Sequence, residues 1–427
     1  MPRFDLPYGK TTISFNLPDS LLVDFLEPTP CSAITNIDQA IKQALDHPNG
    51  AKQLNAYQKA KTIAIAINDK TRPVPHDILL PHLIAKLEAL GYSEENIKFY
   101  IASGTHRPMP PEEHALVLPE QLLKKYPVIA HDCDNSTLLT LGETTRHTPI
   151  EINADFAKAD IKIVVGNIEP HHFMGYSGGV KSAAIGLASR QTINKNHAML
   201  TDPNARSGLF DTNPMRQDIE EIGHKINIQY AFNTVLNQQK EIVNVLFGDP
   251  FTVINEAIPF VNKIYEVQVK CPYDMLIVSP GGHPKDINLY QSQKAITHAS
   301  SITKDAGWVI LLAACPEGPG SAGYESFVKG KASQQEILDA FSETPFTVGP
   351  HKAYQIARDA VRVQLVIVSE MPPQQVKALL LTPSTVPLLN QLLDFIIDQL
   401  PDNARIAVMP MGTSTMLRMV PPQGELT

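Results

Sequence analysis

Short apolar runs that end in Gly, Asp, Asn or His recur along the chain. They occupy residues 64–69 in KTIAIAIND, 97–105 in IKFYIASGT, 161–167 (IKIVVGN), 273–282 (YDMLIVSPGG), 308–318 (WVILLAACPEG), 364–370 (QLVIVSE) and 404–412 (ARIAVMPMG). Each is aliphatic or β-branched and lacks strict alternation, which is the pattern of strands buried on both faces. Between them lie segments with helical spacing: HDILLPHLIAKLEALG, SQKAITHASSITKDAG, SQQEILDAFS and STVPLLNQLLDFIIDQL. The last three open with Ser, an expected N-cap, and the first two run into Gly, an expected stop. Strands alternating with helices predict an α/β fold with mainly parallel sheets. In such sheets ligands bind beyond the carboxyl ends of the strands.

At 427 residues the chain exceeds what one core usually organises, so two α/β domains flanking a cleft are expected. A charged, Pro-containing stretch at 269–272 marks the expected boundary. Residues 1–270 then form a cofactor-binding and catalytic domain, and 271–410 a domain that closes on substrate. The tail, 411–427, is expected to return to the first domain. The net charge of −8 argues against nucleic acid and membrane surfaces, which favour a basic face. No run of 18 apolar residues and no export signal is read, and the four cysteines form no CxxC. A cytoplasmic protein acting on small molecules is the expectation.

The strand ends carry an unusual set of side chains. The first gives Asp69, Lys70, Thr71 and Arg72, and the second His106 in ASGTHRP. The third gives GNIEPHHFMGYSGGVKSAAIG, with His171, His172 and Lys181; His197 follows in NKNHAM, and LYQSQKA supplies Tyr290, Gln291 and Lys294. Histidine accepts and returns protons near neutral pH, and two of them could serve the two faces of a planar intermediate. Each residue also has an ordinary role: a strand-end histidine often just closes a loop, Asp69 suits a turn, and Arg72 suits a structural ion pair. In an extended chain His171 and His172 would point to opposite sides.

Lys181 is more telling. It sits between a Gly pair and a small-residue run, where a helix start would attract anions. GYSGGVKS imitates a phosphate-binding loop, yet Val180 stands where that motif needs Gly. An amine here could be acylated, form a Schiff base or hold a phosphate. No G-x-G-x-x-G follows a strand, so a nicotinamide dehydrogenase is disfavoured. Hydride chemistry of any kind would need an acceptor that side chains do not supply.

Together, DKTRP (69–73), SGTHRP (103–108), GNIEPHHFMGYSGGVKS (166–182), NKNHAM (194–199) and LYQSQKA (289–295) resemble the nickel-pincer lactate racemase family, in the family's order. The resemblance implies two α/β domains and a racemase or epimerase of a small 2-hydroxy acid. It implies a nickel-pincer nucleotide, a Ni(II) pyridinium-3,5-bisthiocarboxylic acid mononucleotide, joined to Lys181, with His197 as nickel ligand. It further implies His106 and His171 as the two acid/base groups, and Asp69 to Arg72 as a cofactor-contacting loop. Arg72, Tyr290, Gln291, Lys294 and Tyr354 are implied to bind substrate. Asp69 is expected to orient Arg72 by charge. Cofactor-biosynthesis proteins are implied as maturation partners. The family's lactate-specific members carry tryptophan in the segment matching HKAYQIAR, where this chain has Tyr354, so malate, longer aliphatic acids and sugar acids stay open as substrates. The alternatives are an enzyme that handles a nucleotide phosphate on GYSGGVKS, or a non-catalytic hydroxy-acid or cofactor binder.

Overall fold

The computed structural model describes residues 2–57, 59–347 and 349–420. The chain forms two compact units, one of residues 30–264 and the other of residues 1–29 with 265–427. All seven runs read from the sequence are strands. In the 30–264 unit a six-stranded sheet runs in the order Ile242–Gly248, Tyr230–Leu236, Ile161–Asn167, Ile63–Asn68, Ile97–Ala102, Val128–Ala130. Its first pair is antiparallel and the rest are parallel. The Ile161–Asn167 and Tyr230–Leu236 strands are buried at every position, as their unbroken apolar character demands. Lys162 is tolerated inside because its Nζ donates to the Ala159 carbonyl at 2.8 Å.

From Ile63–Asn68 the chain moves outward to Ile97–Ala102, then returns to the other side as Ile161–Asn167. The reversal leaves a crevice between the carboxyl ends of these two central strands, where loops depart to opposite faces of the sheet. That is where an open α/β sheet binds ligands. On one face the helices Ile37–Asp46 and His76–Ala89 bury Ile41, Leu79, Leu83 and Leu87 against Ile65, Ile163 and Phe232.

The other unit has an all-parallel sheet in the order Thr382–Ser384, Gln364–Val368, Thr303–Leu312, Tyr273–Val278, Arg405–Met409, Leu22–Phe25. Here the domain boundaries differ from expectation. Residues 1–29 belong with the C-terminal residues, because Leu22–Phe25 pairs with Arg405–Met409 at the sheet edge. Asp24 secures that edge, accepting from Arg405 Nη2 at 2.7 Å and from the Tyr273 hydroxyl at 2.8 Å. The hairpin Arg3–Tyr8/Thr11–Asn16 buries Leu6, Ile13 and Phe15 on the same sheet. The tail also differs: Met416–Met419 pairs with Glu266–Val269 inside this unit, and residues 421–427 lie outside the described residues.

Helix boundaries differ at two places. Within SQKAITHASSITKDAG the helix is Leu289–Ser301, capped by Asn288 rather than Ser292, and the chain enters a strand at Thr303. Ala306, with φ of +59°, then bends the chain into the apolar run. In STVPLLNQLL, Ser384 ends a strand and the helix starts at Leu389, after a short turn containing Pro387. Ser333 caps Gln334–Ser342 as expected. Among the described residues no helix is long and apolar enough to cross a membrane.

Candidate active site

Three of the expected segments leave the carboxyl side of the 30–264 sheet, and a fourth lies at a helix end. Asp69 to Arg72 follow Ile63–Asn68, and Ser103 to His106 follow Ile97–Ala102. Residues 168–181 follow Ile161–Asn167, and His197 ends the helix Arg190–His197. Asp69 is buried, and its Oδ2 lies 2.6 Å from Nδ1 of the half-exposed His106. Its Oδ1 accepts from the Thr71 amide at 3.0 Å and the Thr71 hydroxyl at 2.6 Å. Burial works to raise the Asp69 carboxyl pKa, but the bonds from His106 and Thr71 outweigh it and hold it below the ordinary value. An ionised Asp69 takes a proton-bearing Nδ1, which leaves Nε2 of a neutral His106 with its lone pair.

Asp69 therefore orients His106, whereas the sequence suggested Arg72. Among the described residues Arg72 is linked to Asp69 through Thr71, donating from Nη1 to the Thr71 hydroxyl at 3.0 Å. The carboxylate chooses the imidazole because Asp69 O accepts the Arg72 amide and so turns the loop at this point. Lys70 is held apart from this cluster, in an ion pair with Glu113 at 2.7 Å.

His171 and His172 do not splay apart as extended neighbours would. The chain reverses in a tight turn between Pro170–His171 and Gly175–Tyr176, and the two rings stack with centroids 5.0 Å apart. Phe173 meets both rings edge-on, at 4.5 and 4.3 Å, and meets His197 at 5.3 Å. His171 Nδ1 accepts the Met174 amide at 3.2 Å, so a neutral His171 carries its proton on Nε2. The hydrogen bonds thus assign opposite tautomers to His106 and His171.

Lys181 opens the four-residue helix Lys181–Ala184 and is partly buried. Burial, with the charges of Arg72 and Arg216, pushes its ammonium down to about 7, against the pull of Glu169 and Asp69. Burial and the Lys181 charge push the His197 imidazole down to about 3, so His197 is neutral in ordinary buffers. Since the unfolded chain binds the Lys181 proton more tightly, this group makes stability rise with pH between about 7 and 10.5. Amine labelling read by peptide mass spectrometry is expected to give Lys181 a midpoint near pH 7. A midpoint in the ordinary lysine range contradicts this environment.

The loop ahead of Lys181 is built for close approach. Gly178 and Gly179 have φ of +73° and +56°. A Cβ on Gly178 would fall 2.4 Å from Ile168 Cγ1, and one on Gly179 would fall 2.9 Å from Arg216 Nη2. The Ser177 amide donates to Glu169 O, the Gly179 amide to Asn233 Oδ1 and the Lys181 amide to Gly178 O, at 2.9, 2.7 and 3.3 Å. Those amides are committed internally, and the helix is too short to carry a dipole of consequence. These three amides are therefore not offered to a phosphate, which disfavours GYSGGVKS as a phosphate-binding loop of the P-loop kind.

Sequence reasoning missed Arg216 and Asn233. Arg216 is fully buried; it donates to the Tyr176 carbonyl at 3.0 Å and the Gly178 carbonyl at 3.3 Å, and pairs with Glu220 Oε1 at 2.6 Å. Burial raises the Glu220 carboxyl, while Arg216 opposes that shift. Their i, i+4 spacing in PMRQDIEEIG reads like any surface helix pair, so only the tertiary structure separates it from one.

In the other unit, Tyr290, Gln291 and Lys294 share the helix Leu289–Ser301. The Gln291 side chain is exposed and Lys294 is partly buried. Tyr354 stands apart from them. Its ring stacks on Phe341 at 4.7 Å, and it occupies the face of Pro350–Ala360 turned to the helix Gln334–Ser342. The face turned to Leu289–Ser301 instead carries Lys352, which the sequence reading did not single out. Lys352 is 2% exposed; its Nζ donates to Gln293 Oε1 at 2.7 Å and lies 4.9 Å over the Tyr290 ring. Burial and the Lys294 charge hold its ammonium well below the ordinary lysine value.

Comparison with known proteins bears directly on these loops. Residues 8–208 match the family model of the lactate racemase N-terminal domain, and residues 268–417 match that of the lactate racemase C-terminal domain. The chain is 31% identical to a lactate racemase of Thermoanaerobacterium thermosaccharolyticum over 428 residues, 98% of this chain and all of the relative. It is 30% identical to a lactate racemase of Lactiplantibacillus plantarum over 381 residues, 87% of this chain and 89% of the relative. The structure of the lactate racemase apoprotein from T. thermosaccharolyticum matches with a TM-score of 0.88 at 30% identity, covering 98% of this chain and all of the other. The chain belongs to the lactate racemase family and is an isomerase.

Proposed function

We propose that the protein inverts the α-carbon of a small 2-hydroxy acid, with Lys181 as the covalent tether of a nickel-pincer nucleotide and His197 as an imidazole ligand of its nickel. The observation that carries this reading is the placing of His197 close enough to Lys181 for its charge to act on the imidazole, with burial lowering the pKa of both groups. A neutral amine is the nucleophilic form needed for acylation, and a neutral imidazole is the form that binds a metal. The donor set therefore fits the group. When bound, that cofactor supplies a reversible acceptor for the substrate's α-hydrogen, chemistry that no side chain provides.

The remaining steps belong to the chain's own residues. His106, with its lone pair on Nε2, takes the hydroxyl proton of one enantiomer and becomes the imidazolium. His171 returns a proton to the keto oxygen on the opposite face only from its own imidazolium form, which gives up the Met174 amide contact at Nδ1 and ends neutral. The roles exchange for the other enantiomer. Asp69 holds the His106 ring and stabilises its cationic form, as a buried carboxylate does for a general base. Arg72 suits the substrate carboxylate through its planar fork, and Gln291 and Lys294 polarise or bind the substrate oxygens. Tyr290 and Tyr354 complete the substrate-binding set. Lactate is the first substrate to test, since both curated relatives are named for it. Malate and longer hydroxy acids follow because of the phenol at position 354. A cytoplasmic setting and maturation by cofactor-building proteins accompany this reading.

The test is racemisation of single enantiomers by cofactor-loaded enzyme, starting from 2-deuterated substrate in ordinary water. The account predicts that the label stays on carbon through inversion. Complete loss of the label to solvent contradicts it.

A further inference from the structure

We infer that Lys352 is a positioning residue for the helix Leu289–Ser301: from the neighbouring helix Pro350–Ala360 its amine fixes Tyr290 and Gln293, and so sets how tightly the substrate is held. The inference rests on the reading above that Tyr290 and Lys294 meet the substrate. Tyr290, Gln293, Lys294 and Thr297 stand at i, i+3, i+4 and i+7, so they share one face of their helix.

An amine is an expensive group to place here. Lysine is seldom fully buried without a partner charge, because taking an ammonium out of water is costly. Lys352 is 2% exposed, and among the described residues no carboxylate pairs with it. Asp359, two turns along the same helix, is taken by others: Arg358 Nη2 lies 3.0 Å from its Oδ1, and the Thr297 hydroxyl donates to its Oδ2 at 2.5 Å. A methionine would fill the same space without that cost. The amine is therefore explained by what it holds.

Its bonds run in one direction. Lys352 Nζ donates to Gln293 Oε1 at 2.7 Å, Gln293 Nε2 donates to Thr297 Oγ1 at 2.6 Å, and Thr297 passes the chain on to Asp359. The chain leaves Pro350–Ala360 at Lys352 and returns to it at Asp359, which ties the two helices together over two turns. The Gln293 amide is fixed by it, oxygen toward Lys352 and nitrogen toward Thr297. The same Nζ lies 4.9 Å over the Tyr290 ring, and His351 meets that ring in a T-shape at 6.0 Å. Two consecutive residues of one helix thus hold the Tyr290 ring of the other. Burial and the Lys294 charge disfavour an ammonium at position 352, so Lys352 contributes placement rather than attraction for an anion.

The test compares wild type, Lys352→Met and Lys352→Met/Gln293→Met, all loaded with cofactor, in racemisation of lactate, with malate as second substrate. Lys352→Met is expected to raise KM about three- to tenfold, the worth of one hydrogen bond. It is expected to hold kcat within about threefold, the pattern of lost binding rather than lost chemistry. The fold tolerates methionine because the change relieves the burial of an amine. The double variant removes the unpaired Gln293 oxygen but leaves the Tyr290 ring unsupported, so KM is expected to stay raised. A return to the wild-type KM there overturns the inference, since the amine would then serve only to satisfy Gln293. Fluorine NMR of protein carrying meta-fluorotyrosine supplies a readout independent of turnover. The Tyr290 signal, assigned by its loss in Tyr290→Phe, is expected to move in both Lys352 variants. An unmoved signal, or a wild-type KM in Lys352→Met, overturns the inference. Wild type that racemises neither acid counts against the racemase reading instead, and the fluorine signal still decides whether Lys352 places Tyr290.

Discussion

Replacing Lys181 by alanine removes racemisation and leaves the protein folded. The amine is the only proposed covalent link to a group that can accept the α-hydrogen, so the loss is of the whole reaction path. A fall of at least about 10⁴-fold in kcat is expected, because the protein retains no other hydride acceptor. The fold survives for a physical reason. Burial and the cationic Arg72 and Arg216 all oppose a charge at position 181, so deleting the amine removes an unfavourable interaction. Alanine also suits the first turn of a helix whose next residues are Ser182, Ala183 and Ala184. Lys181→Arg should be equally inactive, since guanidinium stays protonated and cannot be acylated. Activity and circular dichroism melting on the same samples check this. Residual activity near the wild-type level would place the tether elsewhere.

The second large effect concerns the two histidines and the carboxylate beneath one of them. His106→Ala and His171→Ala are each expected to lower kcat by about 10²–10⁴, the usual worth of a positioned acid/base group. Asp69→Asn keeps the size of the side chain but removes the charge that fixes the proton on His106 Nδ1. It should cost a comparable factor, because the ring is no longer held in the tautomer that leaves Nε2 ready to accept. The measurement is kcat for both enantiomers. An unchanged kcat in one histidine variant would assign that ring to structure.

The sheets were legible in the sequence because strands buried on both faces need unbroken apolar runs, and all seven such runs are strands. That residues 69–72, 103–106 and 168–181 lie at one edge of the sheet was legible too, since each follows a strand of a parallel sheet. What escaped was set by contacts between distant residues. The Arg3–Asn16 hairpin has its own two-residue turn at Gly9–Lys10, but nothing local shows that Leu22–Phe25 will pair with residues near the far end of the chain. Asp69 was read with its sequence neighbour Arg72, whereas its partner His106 arrives from the adjacent strand. The stacking of His171 on His172 required a turn that the extended reading did not include. Arg216 was invisible because an i, i+4 pair looks the same whether solvated or buried. Tyr354 was placed by position in a motif, but helix phase turns it toward Phe341.

The central claim is that the Lys181 amine carries the group that borrows the α-hydrogen. Peptide mass spectrometry of catalytically active enzyme, purified with its nickel, tests that claim most directly. The account predicts a nucleotide-sized mass increment on the peptide containing Lys181 and on no other lysine. Active enzyme in which Lys181 is unmodified, with turnover that persists after nickel is removed, would contradict it.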